Sequence, residues 1–427
     1  MNANSLFLAH PHAASPRLAD LTRRRFLGTA LAAASVPAVV MSGRPASSAE
    51  EGVTRPAAVA GKPRIKLGVI GNGGRGAWIA RLFQQHGGYE LWALADYFPA
   101  VANATGDGLG VDRARCFSGL QGYRRLIESG VEAVALETPP YFFPEHAKAA
   151  VEAGLHVYMA KPVAVDVPGV LEIEAAARKA TERKRVFLVD YQMPTDPHNQ
   201  EVVRMIGAGE IGTPVSINSH YFAGLFPDPP RTETLESRFQ GLIWCNDVAL
   251  GGGYHVNACI HAIDATLWLA GQRPVAALGL SRIGRAEPHG DSHDVFQLLF
   301  EFDNGLILSH RGKHLNNQTG FDVVCQVQGQ QGFAQIGYGG KATLKGPENG
   351  YSGDVQNLYE AGAVRNIATF HACVTEGRTS NDTVRRSVDG ALATILGREA
   401  GQRRTRVTMA ELLREDRRLE VDLKGLV

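Results

Sequence analysis

The chain predicts an α/β protein of two parts: an N-terminal Rossmann dinucleotide-binding domain, then a C-terminal α+β domain with a large open, mainly antiparallel sheet. Three observations carry this. The apolar run Ile65-Lys-Leu-Gly-Val-Ile70 ends in Gly71-Asn-Gly73-Gly-Arg-Gly76. Apolar runs and helical stretches then alternate as far as Asp190, the pattern of a parallel, doubly wound sheet covered on both faces. Beyond that point the strands lengthen and alternate in polarity, and Asp303-Asn-Gly305 marks a hairpin.

In Gly-x-Gly-x-x-Gly the first glycine permits a tight turn. The second lets the backbone approach a pyrophosphate, and the third brings helix and strand together. The helix that follows, Ala77-Trp78-Ile79-Ala80-Arg81-Leu82-Phe83, offers its N-terminus to phosphates. A second apolar run from Tyr89 ends at Asp96, 20 residues after Gly76, where a carboxylate receives a ribose hydroxyl. Gly71, Asn72, Gly73, Gly74, Arg75, Gly76 and Asp96 are the expected cofactor-binding set. A carboxylate repels a 2′-phosphate, and Tyr97-Phe98-Pro99 brings no cation, so NAD is expected ahead of NADP.

Further strands are expected at 131–138, ending at Pro139-Pro140, at 155–160, cut by Lys161-Pro162, and at 185–190. Helices 146–153 and 169–180 lie between them; the first carries Ala147, Ala150 and Val151 on one face and stops at Gly154. The C-terminal part predicts strands at 214–223, 275–283, 295–302, 306–311, 322–328 and 333–336. Helices near 198–208, 255–270, 357–376 and 381–400 are expected on one face of that sheet.

The segment in front reads as an address. Thr22-Arg23-Arg24-Arg25-Phe26-Leu27-Gly28 matches a twin-arginine export signal. Its Ala-rich apolar stretch, broken by Pro37, falls short of the ~20 residues a spanning helix needs. Cleavage is expected after Ser47-Ser48-Ala49. The expected domains are a signal peptide at 1–49, a linker or arm at 50–63, the Rossmann domain at 64–190 and the substrate and oligomerisation domain at 191–427. The destination is the periplasm or another exported location, where scarce free nucleotide implies a tightly held, recycled cofactor.

Removing residues 1–49, with five arginines and one aspartate, takes the net charge from +1 to −3. Such a protein has no electrostatic basis for binding nucleic acid, or a membrane after processing. Five scattered cysteines (Cys116, Cys245, Cys259, Cys325, Cys373) make neither a disulfide framework nor a metal spacing. No metal is expected.

More motifs follow in order: Thr138-Pro139 with His146 beyond, Lys161-Pro162, Gly209-Glu-Ile-Gly212-Thr-Pro214, Gly251-Gly-Gly253, His261-Ala-Ile-Asp264 and Glu301-Phe-Asp-Asn-Gly305. With the glycine turn, they resemble the glucose-fructose oxidoreductase/inositol dehydrogenase/rhizopine-catabolism family (Gfo/Idh/MocA) over roughly 62–400. The resemblance implies sugar or polyol oxidation at a ring carbon, a cis bond before Pro162, and cofactor contacts from Thr138, Pro139, His146, Lys161 and Pro162. It departs in two places. The family's Glu-Lys-Pro is Ala160-Lys161-Pro162, and the acid four residues before His261 is Asn257.

Lys161, at a Rossmann strand end, is expected to bind the reacting hydroxyl and relay its proton. His261 is a candidate general base, since an ordinary histidine titrates near working pH. The Asn257 amide positions a hydroxyl but takes no proton. Asp264 either orients His261 or bonds backbone or an arginine. Gln192, Tyr254, His255, Asn257, His261 and Lys161 are the expected substrate contacts. Thr195, Asp196 and His198 are weaker candidates, and His255 is as readily a structural histidine.

The reading is a NAD-dependent oxidoreductase of a sugar, sugar derivative or cyclic polyol, self-associating through the open sheet because an exposed apolar face must be covered. Two alternatives stand: a glycoside hydrolase or lyase working by transient oxidation and elimination, and a binding protein that kept the fold without the chemistry.

Overall fold

Apolar runs in the first half of the chain become six parallel strands: β1 (Ile65–Ile70), β2 (Tyr89–Asp96), β3 (Cys116–Ser118), β4 (Ala133–Leu136), β5 (His156–Ala160) and β6 (Phe187–Asp190). The computed structural model describes residues 64–228, 234–240, 243–380 and 383–426; the expected export signal and linker lie outside them. The order is β3-β2-β1-β4-β5-β6. β4 and β6 bury every residue, as parallel strands covered on both faces do. Helices α1 (Gly74–His86), α2 (Pro99–Leu109), α3 (Gly122–Glu128), α4 (Phe143–Glu152) and α5 (Val167–Glu182) alternate with them. α4 buries Ala147, Ala150 and Val151, and the Asp166 side chain caps α5 by accepting from the Gly169 N–H at 2.8 Å. The strand order reverses between β1 and β4, and the crevice beyond their carboxyl ends is where such sheets bind ligands.

The second sheet holds β7 (Pro214–Ala223), β8 (Ala276–Arg282), β9 (Val295–Glu301), β10 (Ile307–His314), β11 (Asp322–Gly329), β12 (Phe333–Gly337), β13 (Gly340–Lys345), β14 (Gly350–Val355) and β15 (Val407–Thr408). Its order is β14-β13-β12-β11-β7-β10-β9-β8-β15. Pairing is antiparallel except between β7 and β10. β9 shows the alternation that specifies it: Phe296, Leu298 and Phe300 are buried while Gln297 and Leu299 are exposed.

The remaining helices are α6 (Pro197–Gly207), α7 (Val248–Gly251), α8 (Gly253–Asn257), α9 (Ile260–Ala270), α10 (Leu358–Glu376), α11 (Thr383–Arg403) and α12 (Met409–Glu415). α6, α9 and α11 cover the inner face of the second sheet. One apolar cluster runs from Val134 and Ile173 to Phe296 and Val323, so the two sheets share a core.

Several elements differ from expectation. β13 and β14 were not foreseen, because glycine breaks their alternation; Gly353 is required there, since a side chain would run into the His198 ring. α10 does not lie on the second sheet. Its Ala363, Ile367 and Phe370 pack with Phe83 and Tyr158 on the α1 side of the Rossmann sheet. The single helix expected at 255–270 is two helices, α8 and α9. The Asn257 carbonyl leaves the helical ladder to accept from Lys161 Nζ at 2.8 Å, and His261 N–H turns to the Ala258 carbonyl at 3.3 Å.

Candidate active site

Two glycines of the β1–α1 turn have a steric reason. Gly71 has φ +92°, and a side chain there would strike the Glu137–Thr138 backbone. A side chain at Gly76 would collide with the Gly71 carbonyl, whereas Gly73 and Gly74 face open space. Gly73 caps α1 without a side-chain bond, which leaves the first-turn N–H groups facing a ligand. The turn opens on a cleft of about 440 Å³ walled by Tyr123, Phe142, Phe239 and Trp244. The four glycines of the turn, Arg75, Asp96, Thr138, Pro139 and His146 all line it.

Asn72 does not line the cleft. Its side chain donates back to the Val69 carbonyl at 3.1 Å, and its backbone N–H donates to Asp96 Oδ2 at 2.7 Å. Phe98 N–H holds the other Asp96 oxygen at 3.0 Å. Burial raises the Asp96 pKa and these two bonds oppose the rise. Among the described residues this carboxylate makes no ion pair, and it remains free to accept a ribose hydroxyl. Asp96→Ala should weaken NAD binding and relax discrimination against NADP, measured by titrating each nucleotide; NADP as the nucleotide recovered from native protein would contradict the assignment. His146 is buried at the cleft wall, 3.4 Å from Thr138 Oγ1, and burial lowers it to about 4, so it is neutral.

Lys161 and Pro162 stand at the inner end of the crevice rather than on the cleft wall. Their peptide bond is cis. Burial, with the Arg75 charge next, brings Lys161 down to about 8, while Asp190 and Glu137 act the other way. These two acids occupy the electrostatic place of the glutamate missing before the lysine. Arg75 joins them: Nε lies 3.1 Å from Glu137 and Nη2 2.5 Å from Asp190. Its Nη1 donates to the Tyr359 hydroxyl at 3.0 Å, and the guanidinium lies over the Trp78 and Tyr359 rings. Arg75 is therefore an ionic hub as well as part of the turn. Burial raises Glu137 to about 7 against the pull of Arg75.

Asn257, which Lys161 contacts, His261, on which its charge acts, and Gln192, bonded to Asp190, each carry a buried polar atom with no hydrogen-bond partner among the described residues: Asn257 Nδ2, His261 Nδ1 and Gln192 Oε1. Such atoms call for a ligand or water. Asn257 Oδ1 accepts from Cys245 Sγ at 3.5 Å, and Gln192 Nε2 donates to Asp190 at 3.1 Å. The helix break corrects the expected one-turn pairing of Asn257 with His261. Burial, then the Lys161 charge, holds His261 well below its ordinary pKa. His261 is therefore held neutral, and a base must keep the proton it takes. The His261 ring lies 6.0 Å from Tyr221 and 5.2 Å from Tyr338.

Other expected contacts fall away from this cluster. The Tyr254 hydroxyl donates to the Tyr221 carbonyl at 2.8 Å and accepts from Lys313 N–H at 3.2 Å. His255 is fully buried, with Nδ1 2.9 Å from the Thr394 carbonyl. Asp264 pairs with Arg386 at 2.7 Å and does not orient His261. Asp196 caps α6, Thr195 Oγ1 donates to the Gln192 carbonyl, and His198 Nδ1 lies 2.7 Å from the Tyr351 hydroxyl. The reading of motifs missed Glu137, Asp190, Cys245 and Tyr338. The two acids had a signal, a carboxylate at the carboxyl end of a Rossmann strand; the other two had none.

Comparison with known proteins identifies the family and the fold. The family description "Oxidoreductase family, NAD-binding Rossmann fold" matches residues 65–191 and "GFO/IDH/MocA C-terminal domain" matches 199–335, together more than half of the chain. Inositol 2-dehydrogenase 3 of Saccharopolyspora erythraea is 26% identical over 273 residues, 64% of this chain and 73% of the relative. The scyllo-inositol 2-dehydrogenase (NAD(+)) of Bacillus subtilis is 24% identical over 325 residues, 74% of this chain and 88% of the relative. The crystal structure of the aldose-aldose oxidoreductase from Caulobacter crescentus, complexed with glycerol, shares the fold at TM-score 0.66 and 18% identity, covering 81% of this chain and 99% of that one. The chain belongs to the GFO/IDH/MocA family of NAD-binding oxidoreductases.

Proposed function

We propose that the protein is a NAD-dependent dehydrogenase of a sugar, sugar derivative or cyclic polyol, with Lys161 taking the proton of the reacting hydroxyl. One observation carries the reading: a lysine lowered to about 8 stands at the end of a Rossmann strand, bonded to Asn257, and Asn257, His261 and Gln192 carry unpartnered buried polar atoms. Mixed polar groups around an apolar cleft suit a ligand rich in hydroxyls. The relatives named above as inositol dehydrogenases support that class. When bound, NAD supplies the acceptor for the hydride. The protein's part is to hold the hydroxyl through Asn257 and His261 and to receive its proton on the neutral Lys161 amine.

The test is purified protein with NAD and a panel of free sugars, cyclic polyols and glycosides, following nicotinamide absorbance and released sugar together. Reduced cofactor with an oxidised product supports the dehydrogenase. Cleaved glycoside without net reduction supports the elimination route, which the amide at Asn257 keeps as the second reading. Neither signal with any substrate leaves a binding protein.

The outer face of the second sheet exposes Leu280, Leu299 and Ile307, which supports self-association through that face; light scattering of the native protein reads it. Among the described residues no helix is long and apolar enough to cross a membrane. Export by the twin-arginine route is our reading of residues 22–28. Replacing Arg23 and Arg24 with Lys should trap the precursor in the cytoplasm, read by cell fractionation; unchanged export would mean another route.

A further inference from the structure

Spacing along the chain shows no metal cluster, yet folding brings His255, Cys259 and His310 together. One ring nitrogen from each histidine and the Cys259 sulfur all lie within 4.8 Å of one another. His255 belongs to α8 and Cys259 caps α9 across the helix break, while His310 comes from β10. All three are fully buried. None of the three lines the cleft, although Asn257, whose carbonyl accepts from Lys161, stands between His255 and Cys259 in the chain.

The histidines are held as ligands are held. His255 Nδ1 is 2.9 Å from the Thr394 carbonyl. A carbonyl only accepts, so Nδ1 carries the proton and Nε2 keeps its lone pair. His310 Nδ1 lies 2.9 Å from Ser219 Oγ, and with that hydroxyl accepting, its Nε2 keeps a lone pair too. Neither Nε2 has a hydrogen-bond partner among the described residues, although buried polar atoms are nearly always satisfied. Neighbouring glycines keep the space open. A side chain at Gly312, on the same face of β10 as His310, would strike Cys259 Sγ, and one at Gly397 of α11 would strike the His255 ring.

Charge decides which ion fits. Arg398 acts on His255, and His255, His220 and Arg311 act on His310, each disfavouring a further positive charge. Burial favours the neutral thiol at Cys259, with the Tyr254 hydroxyl acting toward the thiolate. One thiolate, two neutral imidazoles and a monovalent ion sum to zero; a divalent ion leaves a net charge buried, which is costly. Thiolate with imidazole is a donor set that suits copper and zinc alike, and the charge count favours the monovalent ion. Bonds of about 2.0 Å to nitrogen and 2.3 Å to sulfur set donors roughly 3.5–4 Å apart, so the trio, within 4.8 Å as it stands, must draw together on binding.

We propose that His255, Cys259 and His310 form a buried site for monovalent copper, which ties the α8–α9 break to β10. On binding, the Cys259 S–H bond is replaced by S–Cu and one proton leaves to solvent; the copper stays monovalent.

The full chain, expressed with supplementary copper and also offered Cu(I) without oxygen, is set against a chromophoric copper(I) chelator and then dialysed. The expected result is one retained copper per chain, with one sulfur and two nitrogen neighbours in X-ray absorption. Cys259→Ser and His310→Gln should each weaken retention beyond the about 10- to 100-fold that loss of an outer-shell partner costs, while NAD binding persists. Zinc held in preference to copper, no retained copper by either route, or equal retention in both variants overturns the site. Should the variants fail to fold, the native protein's spectrum decides, and copper without a sulfur neighbour overturns it.

Discussion

Lys161→Met should cut kcat/KM for hydroxyl oxidation by about 10²-fold or more and leave NAD bound. Methionine keeps the length and apolar body of the side chain but cannot receive a proton. The lysine Nζ already sits 2.8 Å from the Asn257 carbonyl at the inner end of the crevice, so the loss falls on the chemical step. The pH profile separates this from a packing effect. In the proposed reaction the working form is the neutral amine, and burial brings Lys161 down to about 8. Native activity should therefore rise with pH through about 8, and the variant should lose that limb. Stability gives a second check. Between about 8 and its ordinary value the unfolded chain binds more protons at this lysine than the folded one does. Native stability thus gains with rising pH across that window, and the methionine variant lacks the gain. Near-normal turnover with the pH limb intact would move the proton transfer to another group, His261 first.

What could be read from the chain was whatever rests on local backbone demands. Gly71 and Gly76 were legible because the tight turn and the close helix approach leave no room for a side chain. Asp96 was legible because its strand places it a fixed distance past the turn. β7 and β9 showed themselves through alternation that matches their buried faces. The substrate side depended on contacts distant in sequence. Tyr254 and His255 follow three glycines and invite a ligand role, yet their partners are Tyr221, Lys313 and Thr394. The break between Asn257 and His261 exists because a lysine 96 positions earlier takes the Asn257 carbonyl, and no periodicity within the helix announces that. α10 carries no mark that it returns to the Rossmann sheet, where Tyr89 donates to its Ile367 carbonyl at 2.9 Å.

Arg75→Met should destabilise the fold by about 3 kcal/mol, the lower part of the range for removing one partner of a buried ion pair, and should also slow oxidation. Arg75 lies within reach of two acids, Glu137 and Asp190, whose side chains are fully buried, and is itself 25% exposed. Methionine fills much of its volume between Trp78 and Tyr359 but leaves two carboxylates side by side without their cation. The pH dependence follows from Glu137, which burial already raises to about 7 from its usual value despite Arg75. Across that window the folded state binds more protons at Glu137 than the unfolded chain does, so stability falls as pH rises. Removing the guanidinium lifts Glu137 further and lets it go neutral at higher pH. The variant's deficit should therefore be smallest near pH 5 and largest near pH 8, as read by urea unfolding at both. Lys161 would also lose a nearby positive charge and gain proton affinity, shifting the rising limb of activity to higher pH. A deficit that is small and independent of pH would show that Arg75 serves only the glycine turn, and that Glu137 and Asp190 are compensated by other groups.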